Sequence, residues 1–181
     1  MRVAESVRGV SGSAKQSARP GRKVLTFQLS GQAYGIPLDR VREIIPLPLL
    51  SRPPGLPPVL AGFVNLGGTA IPVVKLARLF GVAESAPRRY TPLVVLCCCN
   101  LTLALLVDSV QGVIQVDDES IVSFSDNLWL NSCAEGLATV GDTSFVLLAD
   151  GRLLREQERR RVDELAAIEQ VRLDGLLEAR P

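Results

Sequence analysis

Two stretches of strand-like sequence recur along the chain in the same order. A shift of 69 positions places residues 27–39 on residues 96–108, and a shift of 74 places residues 62–74 on residues 136–148. In each pair an apolar run leads to a small or polar turn, and a second apolar run follows. Because the order of runs and turns is shared over most of each half, the pattern indicates an internal duplication.

Each half of the chain predicts a hairpin, a polar corner, a short strand, a long loop and a second hairpin. The turns of the first hairpins fall at Gly31-Gln32 and Cys99-Asn100, and those of the second hairpins at Gly67-Gly68 and Gly141-Asp142. Short strands divided by such turn residues are typical of a small barrel or sandwich. Units of about 60–65 residues bury little apolar surface alone, so we expect the two to share an interface.

The tail has a different character from the rest of the chain. Between Arg152 and Glu178 it contains no proline and is dense in the helix formers Leu, Glu, Arg and Ala. Its apolar positions form a stripe at Leu154, Val162, Leu165, Ile168, Leu173, Leu176 and Leu177. We therefore divide the chain into a basic leader at 1–23, a body of two β lobes at 24–154 and an amphipathic helical tail at 155–181. The tail either packs on the body or serves as a docking or coiled-coil segment.

One segment raises the question of a membrane span. Residues 90–107 carry no charge, which is about the length that suggests a transmembrane helix. Pro92 and Asn100 interrupt the run, its flanks are rich in β-branched residues, and a turn fits midway. Two buried strands explain the segment better, so we expect no direct insertion into a membrane. A β module associated with a membrane stays open as an alternative.

The composition excludes several kinds of enzyme. The chain has 181 residues, a net charge of +1 and no histidine. A Ser-His-Asp or Cys-His nucleophile, a His-ligated metal and a phosphate-accepting imidazole all require that missing residue. Any catalysis would have to use carboxylates, Lys, Tyr, Cys or backbone groups. The apolar fraction of 47% is sufficient for a core, which must be largely aliphatic because aromatic residues make up only 4%.

The cysteines and the basic leader do not indicate a ligand. Three cysteines are adjacent at 97–99 and a fourth is Cys133, with no C-x-x-C pair. Adjacent strand residues point to alternate faces, so we expect largely buried thiols without disulfides, a reducing compartment, and neither a metal nor a cofactor. The leader has six basic residues against Glu5 but no aromatic side chain and no secretory pattern. It predicts a disordered arm and no nucleic-acid partner.

Two aspartates allow a test of one carboxylate enzyme. An aspartic protease pairs two Asp-Thr/Ser-Gly loops, and here Asp108-Ser109 and Asp142-Thr143 each follow an apolar run. The glycine is replaced by Val110 in one case and Ser144 in the other, and the duplication does not align the two aspartates. A carboxylate hydrolase is thus only a remote alternative, and aspartates at strand ends more often cap turns.

Several short motifs together resemble the CheW family. Residues 34–44 carry YGI-x4-V-x-E-I, residues 62–68 are similar to G-x-x-N-L-R-G, and Pro72 begins a P-x-x stretch. Residues 106–110 are similar to the family's V-D-G-V, and the match spans roughly 24–154. The resemblance implies an all-β fold of two SH3-like five-stranded β-barrel lobes that share a core, here followed by a C-terminal α-helix. It also implies a non-enzymatic cytoplasmic adapter, which joins the tip of a chemoreceptor bundle to a CheA-like histidine kinase in a chemosensory array.

The resemblance carries over to two sets of residues. A receptor-facing groove would include Leu38, Val41, Glu43 and Ile44. Its apolar side chains would be buried against a receptor helix, and the charge of Glu43 would fix the register of that helix. Val41 and Ile44 also fit a purely structural role in the core. A kinase-facing loop would include Gly62, Asn65, Leu66 and Gly68.

Two residues depart from the family pattern. Gly67 stands where the loop arginine is expected, and Lys75 stands where an aspartate follows P-x-x. Loss of a guanidinium and reversal of a charge would rewire ion pairs near the interface. The alternative is therefore a degenerate CheW-like module that contacts only one partner, in a surface-sensing, pilus or second-messenger pathway.

Overall fold

A computed structural model describes residues 21–98, 101–124, 133–149 and 153–178 of the chain. The strands are β1 (Arg22–Leu29), β2 (Gln32–Pro37), β3 (Val41–Pro46), β4 (Leu60–Leu66), β5 (Thr69–Lys75), β6 (Pro92–Cys98), β7 (Leu101–Leu106), β8 (Ser109–Val116), β9 (Ile121–Ser123), β10 (Ala134–Val140) and β11 (Thr143–Leu148). The helices are α1 (Leu76–Phe80) and α2 (Glu156–Glu178), with 3-10 turns at Leu38–Arg40 and Asp118–Ser120. Most of the predicted leader and the predicted Cys99-Asn100 turn lie outside the described residues.

The strands form two sheets. One has the order β8-β1-β2-β11-β10-β9 and the other the order β3-β6-β7-β5-β4. The mostly-β fold with a C-terminal helix is thus confirmed. The closed barrels are not: in the described part of the chain β8 does not pair with β9, and β3 does not pair with β4. Both sheets are therefore open in the described residues, because their outer strands do not hydrogen-bond to each other.

The two halves of the chain exchange their first hairpins. Hairpin β1–β2 joins the sheet that contains β8 to β11, while β6–β7 joins the sheet that contains β3 to β5. Replacing β3, β6, β7, β5 and β4 by their duplicates β8, β1, β2, β11 and β10 reproduces the strand order. The duplication is therefore visible in the topology, but each sheet is built from both halves.

The strand registers follow the same two shifts. Val24 lies opposite Ile114, and the residues that the 69-position shift relates to them, Leu93 and Ile45, also lie opposite each other. The parallel pairs correspond as well, with Leu147 beside Gly35 and Val73 beside Ala104. Chance similarity would not preserve pairing partners, so the few sequence identities reflect a true structural repeat.

The main core lies between the sheets and draws on both. It contains Phe27 and Ile36 from one sheet, Phe63 and Leu105 from the other, and Leu165 from α2. This arrangement confirms the expected shared interface, because burial in the main core requires both lobes.

The uncharged run at residues 90–107 forms β6 and β7, as predicted. Leu93 and Val95 pack in a smaller core on one face of the sheet, while Val94 and Leu96 pack in the main core. A strand buried on both faces has no position for a charge, which explains the run. Within the described residues, no helix is both long enough and apolar enough to cross a membrane.

The cysteines differ in environment. Cys133 is buried, and its thiol donates to the Leu153 carbonyl at 3.6 Å. Burial raises the pKa of the Cys133 thiol to about 11. Cys97 is exposed near the end of β6, so the expectation of largely buried thiols is wrong for this residue. The described residues include no group of His, Cys, Asp and Glu side chains arranged to hold a metal ion.

Gly35 gives a direct test of how the two halves of the chain pack within the six-stranded sheet. A Cβ at this position would lie 2.6 Å from Phe145 Cε2 and 2.6 Å from Val24 Cγ1, both in fully buried side chains. We expect Gly35→Ala to lower the free energy of unfolding by roughly 1–3 kcal/mol in urea titrations. Gly175→Ala is the matched control, since Gly175 lies in α2 with open space around it. The control should leave stability unchanged or slightly raised, and equal stability of both variants would contradict the tight packing.

Candidate partner-binding site

The four residues predicted to face a receptor lie together at one edge of the five-stranded sheet. Leu38 is half-buried in a 3-10 turn, and β3, an edge strand, follows it directly. Leu38 and Val41 pack against the main core, whereas the Ile44 side chain is 43% exposed. The core alternative therefore fits Val41 better than Ile44. Glu43 is half-buried and forms an ion pair with the adjacent Arg42, 3.3 Å between Nε and Oε1.

A charged depression borders this edge. It has a volume of about 610 Å³ and is lined by Arg22, Lys23, Pro37, Leu38, Asp39, Arg40 and Glu135. Arg22 donates to Glu135 through two nitrogens, with Nη1 to Oε2 at 3.1 Å, and its Nε lies 3.2 Å from an Asp118 carboxylate oxygen. The hydrogen bond with Glu135 is the main cause that raises the pKa of Arg22. The ion pair joins residues 113 positions apart, which is why the sequence did not reveal it.

The residues predicted to face a kinase lie on the β4–β5 hairpin. Its turn is formed by Gly67 and Gly68, with φ of +61° and +86°. The Asn65 side-chain oxygen accepts the Gly68 backbone N–H at 2.9 Å and so closes the turn. Asn65 is exposed, while Leu66 is half-buried against the smaller core of the five-stranded sheet. The motif thus places a rigid polar turn at the end of an apolar strand.

Gly62 lies at the other end of β4 and is buried. Its φ is +147°, and a Cβ there would approach the Ser51 carbonyl oxygen to 2.5 Å. The adjacent Phe63 exchanges two backbone hydrogen bonds with Ser51, at 2.8 and 2.9 Å. The missing side chain therefore allows the proline-rich loop to approach and fixes Ser51 beside the hairpin.

The C-terminal helix reaches this hairpin, which the sequence did not indicate. Gln170 Nε2 donates to the Gly68 carbonyl at 2.9 Å, and Gln170 Oε1 accepts the Ala70 N–H at 2.9 Å. The Ser51 hydroxyl donates to Glu169, and Arg172 Nη1 donates to Ser51 Oγ at 3.2 Å. Polar residues on a helix ordinarily indicate the face that is turned to solvent, so the hydrophobic pattern of the sequence could not have located these contacts.

Comparisons with known proteins show to which family the chain is related. A family model described as a CheW-like domain matches residues 23–158. The chain belongs to the CheW family. The chemotaxis protein CheW of Klebsiella aerogenes is 27% identical over 149 residues, covering 81% of this chain and 89% of the relative. The CheW of Rhizobium meliloti is 26% identical, covering 80% and 89%. The crystal structure of the scaffolding protein TtCheW from Thermoanaerobacter tengcongensis has a TM-score of 0.68 at 23% identity, covering 77% of this chain and 92% of that one.

Lys75, which departs from the CheW pattern, has its own counter-charge. Its Nζ lies 3.2 Å from Glu84 Oε2, and Arg78 Nε lies 3.1 Å from the other carboxylate oxygen. The reversed charge is thus balanced within the chain, by a loop that follows α1. Nearby, Asp108 Oδ2 accepts the Ser30 N–H at 2.7 Å, so this aspartate caps a turn as predicted.

The cap at Asn65 can be tested by removing its acceptor. Asn65→Ala should lower the free energy of unfolding by roughly 0.5–1.5 kcal/mol and speed hydrogen exchange at the Gly68 amide. Asn65→Asp is the matched control, because it retains an oxygen in the accepting position. Unfolding in urea and amide exchange by NMR measure the two effects. If Ala and Asp variants exchange at the same rate, the cap does not hold the turn.

Proposed function

We propose that this CheW-family chain is a non-enzymatic cytoplasmic adapter that couples methyl-accepting chemoreceptors to a CheA-like histidine kinase. The observation that carries the proposal is the family match over residues 23–158, together with the fold shared with the scaffolding protein TtCheW. A chain without histidine cannot carry a phosphoryl group on an imidazole, which is consistent with a part in the phosphorelay that holds the kinase.

The receptor would bind at the β3 edge. Ile44 and Leu38 offer apolar surface to a helix of the receptor tip, and Glu43 lies between them in the chain to select register by charge. Burial of such side chains supplies most of the affinity, while a charge at the rim mainly affects specificity and association rate. This edge is accessible because β6 pairs with only one side of β3.

The kinase would bind at the β4–β5 hairpin through the surface around Asn65, Leu66 and Gly68. In the five-stranded sheet β3 and β4 are the two opposite outer strands. Opposite edges allow two partners to be held at once without competition between them, which is the property that an adapter requires.

The receptor assignment is tested by co-sedimentation of the chain with receptor bundles and kinase. We expect the double variant Leu38→Ala, Glu43→Ala to lose roughly tenfold or more in affinity for the bundles, as for residues at the centre of an interface. The matched control is Val113→Ala, Asp142→Ala, which also removes one apolar and one acidic side chain. Val113 lies in β8 and Asp142 in the β10–β11 turn, and both are exposed. Unchanged co-assembly of the first variant would refute the groove.

One observation favours the second candidate, a degenerate module that contacts a single partner in a surface-sensing, pilus or second-messenger pathway. The loop arginine of the family pattern is Gly67 here. Loss of the guanidinium removes a bidentate hydrogen-bond donor from the loop, so one of the two binding surfaces would lack the group that its partner requires.

Restoring the arginine distinguishes the two candidates. If the chain is degenerate, wild type should bind either receptor or kinase alone, and Gly67→Arg should gain the second partner. Gly67→Ala is the matched control, because both variants carry the cost of a left-handed conformation, about 1–2 kcal/mol, but only one carries a guanidinium. Binding of both partners by wild type, measured by co-sedimentation, would exclude the degenerate module.

A further inference from the structure

The distal half of α2 faces the body with polar side chains and turns apolar ones outward. Glu169 is 3% exposed, whereas Ile168 is 61% exposed and Val171 is 73% exposed. This is the reverse of an ordinary surface helix, whose apolar stripe is buried. The attachment of this segment to the body therefore rests on polar contacts.

Those contacts are made with the β4–β5 hairpin and with Ser51 in the loop that precedes it. Gln170 bonds to both the Gly68 carbonyl and the Ala70 amide, in the manner of a neighbouring peptide group. Ser51 bonds to Glu169, and Arg172 reaches the same hydroxyl. We call this set, formed by Gly68, Ala70 and Ser51 on the body, the turn surface.

The duplication supplies an internal comparison for the turn surface. Ala70 is buried, whereas Ser144, which the 74-position shift relates to it, is exposed on the equivalent hairpin β10–β11. The difference agrees with the position of α2, whose Gln170 side chain contacts Gly68 and Ala70 while Gly67 stays exposed. The covering residues 169–172 lie beyond the match to the family model, which ends at 158.

The two halves of α2 differ in how firmly they are held. Val162 and Leu165 are buried in the main core and anchor the proximal half. The distal half is held by part-buried hydrogen bonds, each of which contributes only about 1 kcal/mol net because water replaces it when it breaks. The distal half can therefore leave the turn surface while the proximal half stays in place.

We propose that the distal half of α2 is an intramolecular competitor, which occupies the turn surface in place of the kinase and must be released before the kinase binds. The inference rests on the proposed function, in which the hairpin faces the kinase. The turn surface offers one carbonyl acceptor, one amide donor and one hydroxyl. It fits a partner segment that presents a peptide edge or a side-chain carboxamide.

The competition is tested with the full chain and its CheA-like kinase. Glu169→Ala, Gln170→Ala removes the contacts, and Glu156→Ala, Gln157→Ala removes the same residue types from the exposed first turn of α2. When only a fraction of the chain is in the binding-competent state, the apparent affinity of the chain for its partner falls by that fraction. We expect the 169/170 variant to bind the kinase about fivefold or more tightly than wild type, with faster hydrogen exchange at the Ala70 amide. The 156/157 variant should match wild type in both measurements.

Each other outcome overturns the inference. Equal or weaker kinase affinity of the 169/170 variant, with faster exchange at Ala70, would show that release of the helix does not favour binding, and the proposed function would stand. Absence of kinase binding by every chain would overturn both the proposed function and the competition. The single variant Gln170→Ala guards against loss of the helix, since it keeps the Glu169–Ser51 contact; it should shift affinity in the same direction by a smaller factor.

Discussion

The parallel pairing between strands of different halves is the constraint on which this structure depends. Strand β2 lies beside β11, and β7 lies beside β5. Each pairing joins a hairpin of one half to a hairpin of the other, so neither sheet exists without both halves. The main core then forms between sheets that are already shared. The outer strand β3 takes its position from β6, and the β4–β5 hairpin takes its position from β7, so both proposed binding surfaces are held by strands of the other half.

The sequence revealed the elements of the fold but not their partners. Apolar runs and turn residues were sufficient to locate the hairpins, the duplication and the tail helix. They could not reveal the exchange of hairpins, because alternation shows which face of a strand is buried and not which strand lies beside it. The run at Leu93–Leu96 is uniformly apolar because its residues alternate between two cores. Closed barrels were expected from the family, and the open edges at β3 and β9 differ from that expectation.

Only the parts of the candidate site that lie within sequence motifs were predictable. The segments around Leu38–Ile44 and Gly62–Gly68 stand out by their residue types at fixed spacing. The contacts between α2 and the body do not stand out in the sequence. Ser51 and Glu169, for example, are 118 positions apart and both are polar. Similarly, Arg22 in β1 and Glu135 in β10 meet although β2 and β11 lie between their strands in the sheet order. Long-range polar pairs of this kind follow from the topology, and topology was the part that the sequence left open.

Hairpin exchange also sets an order of events during synthesis of the chain on the ribosome. Hairpin β1–β2 emerges first, yet Arg22 lies opposite Val116 and Tyr34 lies beside Val146. Both outer edges of this hairpin therefore wait until most of the chain has been translated. Native pairing at such sequence separation is slow, and unpaired strand edges attract other chains in the meantime. The nascent protein is thus exposed to misassembly for most of its translation, and the two lobes complete their folding together.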